Sequence, residues 1–241
     1  MNALPPLPAT FLDDRAVLQR IVVHVLARAR AQATGRIGLV PTPGGIGTPA
    51  FGEDLTVVRL THAGLAVDTG GTTTLTAFAD ATLRSLARGA GADLAAEFSA
   101  GTDTPPLGNI DEALAFDPAT LTALGAWHAL GWQILDATMA RLPASASPAR
   151  TQLWPEHFDV GTNVAFGPGD NDRANLGTSP GDSTHAPPYL YLGPWGTDRP
   201  GAPEYWNASF GAVLSYADLA TTPDPVVAGT EFLLTGLTYL N

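Results

Sequence analysis

Cysteine and lysine are both absent from the 241 residues of this chain. Without thiols there is no disulfide, no thiolate nucleophile, no zinc–thiolate site and no iron–sulfur cluster. The twelve basic residues are all arginine, which excludes Schiff-base, P-loop and general-base lysine chemistry. Charge is scarce, 15% of residues, and the balance is acidic at −11. Such a field opposes phosphate backbones and anionic lipid, so neither nucleic acid nor a membrane surface is an expected partner. No run approaches the ~20 apolar residues of a membrane span. The opening "MNALPPLPATFLDD" lacks the basic and apolar regions of a signal peptide. These absences together predict a cytoplasmic protein.

What is present suits a packed core. Apolar residues make up 45% of the chain, and its length fits one large domain or two small ones. After a proline-rich lead-in, "DDRAVLQRIVVHVLARARAQATG" reads as a helix capped by Asp13 or Asp14 and closed by Gly35. "RIGLVPTPGGIGTPAFG" reads as a short strand and a Gly/Pro loop that fails the context of a phosphate cradle. "DLTVVRLTHAGLAVDTGG" reads as a hairpin turning near His62–Gly64. "TTTLTAFADATLRSLARGAG" reads as a second helix and residues 92–109 as a connection. In "FDPATLTALGAWHALGWQILDATMARLP", Asp117 caps a long helix and Pro118 takes its first position. Leu121, Leu124, His128, Trp132 and Leu135 are its expected buried stripe. From Arg150 to Asp224 the runs are strand-like, and "PVVAGTEFLLTGLTYLN" reads as a closing helix. The pattern predicts an α+β protein, with antiparallel or mixed sheets and long helices packed on one face. Two similar halves are expected, 1–109 (helix–hairpin–helix) and 110–241 (helix–strands–helix), packed as one unit.

That order resembles a family of bacterial domains of unknown function. Its motif strand carries a tryptophan followed shortly by Phe-Asp, with a proline-rich aromatic segment after it. The matching residues here are Trp154, Phe158 and Asp159, then "APPYLYLGPW". This chain has one extra residue between the tryptophan and Phe-Asp, and no basic residue in Thr162–Phe166. The resemblance implies the fold and no activity.

The stretch "RTQLWPEHFDVGTNVAFG" concentrates the chemistry. Read as one strand, it places Trp154, Glu156, Phe158, Val160, Thr162, Val164 and Phe166 on a core face. Leu153, Pro155, His157, Asp159, Gly161 and Asn163 fall on the other face. Imidazole, carboxylate and carboxamide in line could hold a polar ligand, and His157 beside Asp159 could act as an oriented base. Pro155 could also place a bulge that brings Glu156 to the polar face. The expected cleft lies between this strand and the aromatic segment from Tyr189 to Trp206. Its candidate ligand-binding residues are Trp154, Glu156, His157, Asp159, Asn163, His185, Tyr191 and Trp195.

No metal or cofactor is expected. "GPGDNDRANLGTSPGDS" lacks the ligand order of a calcium loop, and its aspartates are expected to bond their own backbone. Three functions stay open: a protein that binds a small molecule or peptide in a polar-aromatic cleft, a hydrolase or isomerase using His157 and Asp159, and a structural or interaction protein without a pocket.

Overall fold

A computed structural model describes residues 4–241; the first three residues of the lead-in lie outside the described residues. The chain is α+β, with two five-stranded antiparallel sheets. It divides into two compact units, both discontinuous in sequence. The first comprises Pro5–Ala126 with Leu153–Phe158, and the second Leu4, Trp127–Gln152 and Asp159–Asn241. None of the divisions within the body of the chain falls at the expected 109/110 boundary: one lies inside the long helix, one inside a short strand at 152/153, and one at the end of a turn at 158/159. Among the described residues no helix is long and apolar enough to cross a membrane.

The first unit begins with one helical rod: α1 (Phe11–Ile21), a π-helical stretch (Val22–Ala27) and α2 (Arg28–Thr34). Asp13 and Asp14 do not cap it. The rod starts at Phe11, and buried Asp14 instead accepts hydrogen bonds from Thr10 and Thr120. Gly35, with φ of 71°, closes the rod as expected. All six π-helical residues are buried. Four polar side chains, spaced by four, emerge from the rod toward the connection. Arg20 donates to the carbonyls of Leu107 and Asn109, and His24 Nε2 lies 2.7 Å from that of Pro105. Arg28 donates to Asp93 and Ala96, and Gln32 exchanges bonds with Asp93. Four residues overshoot an α turn of 3.6 but undershoot the wider π turn. Drift gained in the α segments is thus reversed in the middle, and the row stays aligned.

The sheet of this unit runs β1 (Val40–Thr42), β2 (Gly45–Gly47), β3 (Val57–Thr61), β4 (Gly64–Thr69), β5 (Thr72–Ala77), in that order. Two expectations are corrected here. The Gly/Pro loop contains the β1–β2 hairpin, and the segment expected to open the second helix is strand β5. β-Branched threonines at 72–74 and 76 favour a strand, and Gly70–Gly71, both at positive φ, form the two-residue turn before it. The helix α3 spans only Leu83–Ala90, with Thr82 and Ser85 in a capping box.

The long helix α4 (Pro118–Met139) starts as read, with Asp117 Oδ1 accepting from the Ala119 amide at 2.8 Å. Leu121, Leu124, His128 and Leu135 are fully buried, but Trp132 is only half-buried and Trp127 takes the core position. Trp127 donates its indole N–H to the Ser179 carbonyl at 2.8 Å and packs against Tyr216. The other sheet has the order β10 (Ala212–Ser215), β9 (Tyr189–Pro194), β8 (Arg173–Ser179), β7 (Asp159–Ala165), β6 (Gln152–Trp154). One face, carrying Val160, Val164, Leu176, Thr178, Leu190 and Leu192, is fully buried. Two helices follow the last strand, α5 (Tyr216–Thr221) and α6 (Pro225–Leu240); Gly131 of α4 lies against Thr178, and Gly236 of α6 against Leu192. Glycine is required at both points, since a β-carbon there would collide.

Three outcomes follow from this packing. Trp127→Ala should lower unfolding stability by about 3–5 kcal/mol, and Trp132→Ala by clearly less; equal losses in denaturant melts would contradict the assignment. Burial lowers the pKa of His128 to about 3, so the unfolded state binds the extra proton between that value and ~6.5. Stability should therefore be fully present above ~6.5 and fall with pH below it, by up to about 1.4 kcal/mol per pH unit. His128→Gln should flatten that slope in urea melts across the window. Arg28→Met strands carbonyls of residues 92–109, and should speed their amide exchange while leaving strands β3 and β4 protected.

Candidate functional site

The expected strand of residues 150–167 is interrupted. β6 ends at Trp154, Pro155–Phe158 form a turn, and β7 starts at Asp159. Phe158 has φ of 58°, an uncommon value for a large residue, and its side chain is 1% exposed. The turn resets the alternation, so residues before and after it do not share one face count. Trp154, Glu156 and His157 belong to the first unit, whereas Asp159, Asn163, His185, Tyr191 and Trp195 belong to the second.

In the first unit, Trp154 is half-buried and Glu156 is buried, with Gly101 packed on its side chain and its carbonyl accepting from Gln19. His157 is exposed and lies 3.1 Å from Asp103. The expected orientation of His157 by Asp159 is thus replaced by two separate pairs.

In the second unit, one sheet face is polar, as the alternation within β7 predicts. Asp159, Gly161 and Asn163 from β7 stand beside Asn175, Gly177 and Ser179 from β8 and Tyr189 and Tyr191 from β9. Tyr191 lies over glycine: a β-carbon on Gly177 would meet its hydroxyl at 2.5 Å. Laid across this floor, Tyr191 spans β8 and donates to Asp159 Oδ2 at 2.5 Å. Burial, then the charge of Asp159 and the bond to it, hold the Tyr191 phenol well above its usual pKa. It is a fixed donor at neutral pH, not a base.

Tyr189 repeats the arrangement with Asp182 at 2.5 Å. Burial pushes the Asp182 carboxyl up, but the bonds from Tyr189 and from the His185 and Thr184 amides outweigh it and leave it below the usual range. That loop is self-bonded, as its composition predicts: Asp182 Oδ1 accepts from both amides. The His185 ring packs on Tyr189 and Phe210. Toward the other end of the face, Arg173 donates to Asn163 Oδ1 and lies over the Trp195 ring, 5.7 Å from its centroid. Trp195 donates to Asn175 Oδ1 at 2.9 Å.

The polar groups expected to contact a ligand are thus largely bonded to one another. An open surface lies at the end of β9. Trp195 is 50% exposed and lines a cleft of about 530 Å³ with Phe166, Pro194, Pro200, Asp172 and Asp198. Its walls are fixed. Asp172 Oδ2 accepts from the Gly169 amide, and Trp195 N donates to the Arg173 carbonyl. Arg199 donates to the carbonyls of Gly196, Asp198 and Phe210 and lies over Trp206. Of the expected residues only Trp195 reaches this cleft. No sequence spacing links Asp172, Asp198 and Phe166 to it, because only the folded turns bring them beside Trp195. Among the described residues no group of three or more His, Asp or Glu is placed to hold a metal ion.

Tyr191→Phe should cost about 1.5–3 kcal/mol, the range for a bond to a charged group; a loss under about 0.5 kcal/mol in urea melts would show that the phenol does not tie the strands. Comparison with family models, with curated proteins and with solved structures finds no match to this chain.

Proposed function

We propose that this chain is a binding protein that holds a small organic molecule in the Trp195 cleft of its second unit. The observation that carries this reading is a large exposed indole whose position is fixed by Asn175 and Arg173. A rigid aromatic wall in a cleft of a few hundred Å³ is the usual setting for a small ligand. Its other lining is apolar, from Phe166, Pro194, Pro200 and Leu240, with acceptors from Asp172, Asp198 and Asn171. Among the described residues no arginine lines it, and the acceptors present favour a ligand with an apolar face and hydrogen-bond donors. A hydrolase or isomerase built on His157 and Asp159 has less support, since each has a different partner.

Native mass spectrometry of freshly purified protein, with tryptophan fluorescence, tests the proposal. The expected result is a bound small molecule that Trp195→Ala releases while the circular dichroism of the protein stays unchanged. A ligand retained in full by Trp195→Ala would move the site elsewhere and overturn the assignment.

A further inference from the structure

Strand β5, Thr72–Ala77, is the edge of the first unit's sheet and is exposed along almost its whole length. Its hydrogen-bond register follows from the turn before it. A two-residue turn at Gly70–Gly71 makes Thr69 and Thr72 a hydrogen-bonded pair. Pairs then alternate, so Thr72, Thr74 and Thr76 face β4 while Thr73, Leu75 and Ala77 turn their N–H and C=O groups outward. None of these three outward groups has a backbone partner among the described residues.

Exposed edges are ordinarily guarded by a charge, a proline, a bulge or a covering loop. None of the residues of β5 is charged or proline, its six pairings with β4 run without a bulge, and Leu75 is 55% exposed at its centre. The sequence is also nearly symmetric about that leucine: Thr73-Thr74-Leu75-Thr76-Ala77. If two copies meet antiparallel with the two-fold axis at Leu75, Leu75 faces its own counterpart. Thr74 then faces the other copy's Thr76, and Thr73 its Ala77. Every outward N–H and C=O finds a partner in that register, giving about six bonds from three pairs. Threonine–threonine and apolar cross-strand pairs are favourable neighbours.

We infer that β5 is a self-association edge, through which a second copy of this chain adds antiparallel to form a continuous ten-stranded sheet. The occupant is a second copy because the edge is complementary to itself about Leu75. The contact is short, below the ~1,000 Å² of stable complexes, so the dimer is weak and concentration-dependent. Each copy carries a net charge of −11, so association should strengthen as salt screens that repulsion.

Sedimentation velocity over a concentration series tests the inference, with the protein at low and high salt. A reversible dimer that grows with concentration and salt is expected. Leu75→Lys places a charge on the edge, and Leu75→Pro removes an outward N–H without taking a bond from β4. Both should be monomeric with unchanged circular dichroism. Because the chain has no cysteine, Leu75→Cys is a clean probe. A hydrogen-bonded pair holds its Cα atoms ~5.5 Å apart, within disulfide reach. Mild oxidation should therefore cross-link Leu75→Cys as a dimer, and Leu55→Cys, more exposed but off the edge, far more slowly. A wild-type monomer at every concentration and salt, or equal cross-linking of both cysteine variants, would overturn the inference. So would a dimer that persists in Leu75→Lys and in Leu75→Cys fails to cross-link.

Discussion

The phenol of Tyr191 bonded to Asp159 across a glycine floor is the contact on which the second unit's polar face depends. Three strands take part. β9 supplies the donor, β7 the carboxylate, and β8 the missing side chain at Gly177 that leaves room for the ring. Any β-carbon at Gly177 would lift the tyrosine off the sheet. Glycine weakens a strand interior, and an aromatic ring laid over it restores the lost packing. With Tyr191 flat, Tyr189 stands beside it at 6.2 Å between centroids, and Phe210 and His185 complete the cluster. Two phenol–carboxylate bonds of 2.5 Å then absorb the charge of Asp159 and Asp182. A half-buried sheet face can carry two carboxylates only because each is hydrogen-bonded.

The first unit solves a different problem, an 18-residue connection without regular structure. Such a segment has backbone groups that no ladder satisfies. Here the rod of α1, the π-helical stretch and α2 reaches out with Arg20, His24, Arg28 and Gln32 and takes up the carbonyls one after another. Arginine suits the task because its fork of donors can serve two carbonyls at once. The cost is a buried imidazole beside a guanidinium. Burial first, then the charges of Arg28 and Arg20, push the His24 pKa down and keep it neutral, although its bond to Pro105 works the other way. The π-helical stretch gives the row its alignment, so an irregular helix serves an irregular loop.

The same accounting explains where a ligand can sit. A polar side chain already bonded to a neighbour offers a ligand little, since its bond must first be broken. On the sheet face Asn163, Asn175, Tyr189 and Tyr191 are all engaged. Trp195 is held through its N–H and by Arg173 over its ring, yet stays half exposed, which leaves ring surface open. The cleft beside it is built by the turn from Phe166 to Asp172, the loop of Gly196–Pro200 and the end of α6. Rigid walls lower the ordering cost of binding, which is the advantage of a preformed site.

Local chemistry determined much of this protein directly from sequence. Asp117 with Pro118, and Asp224 with Pro225, set helix starts because a cap needs only a side-chain oxygen and a residue that gives up its N–H. Alternation within β7 placed Val160 and Val164 in the core and Asp159 and Asn163 opposite, because strand period is a local property. The absence of cysteine and lysine removed whole classes of chemistry by itself. The tertiary structure decided what depends on a partner. It broke the strand at Pro155–Phe158, which separated His157 from Asp159. It chose Trp127 over Trp132 for the core, because helical spacing allows both and only the Ser179 carbonyl and the Tyr216 ring favour one. It made β5 a strand, because Gly70–Gly71 and β4 supplied a ladder that the threonines alone do not reveal. Asp172, Asp198 and Phe166 meet Trp195 only through folded turns, and no sequence spacing encodes that meeting.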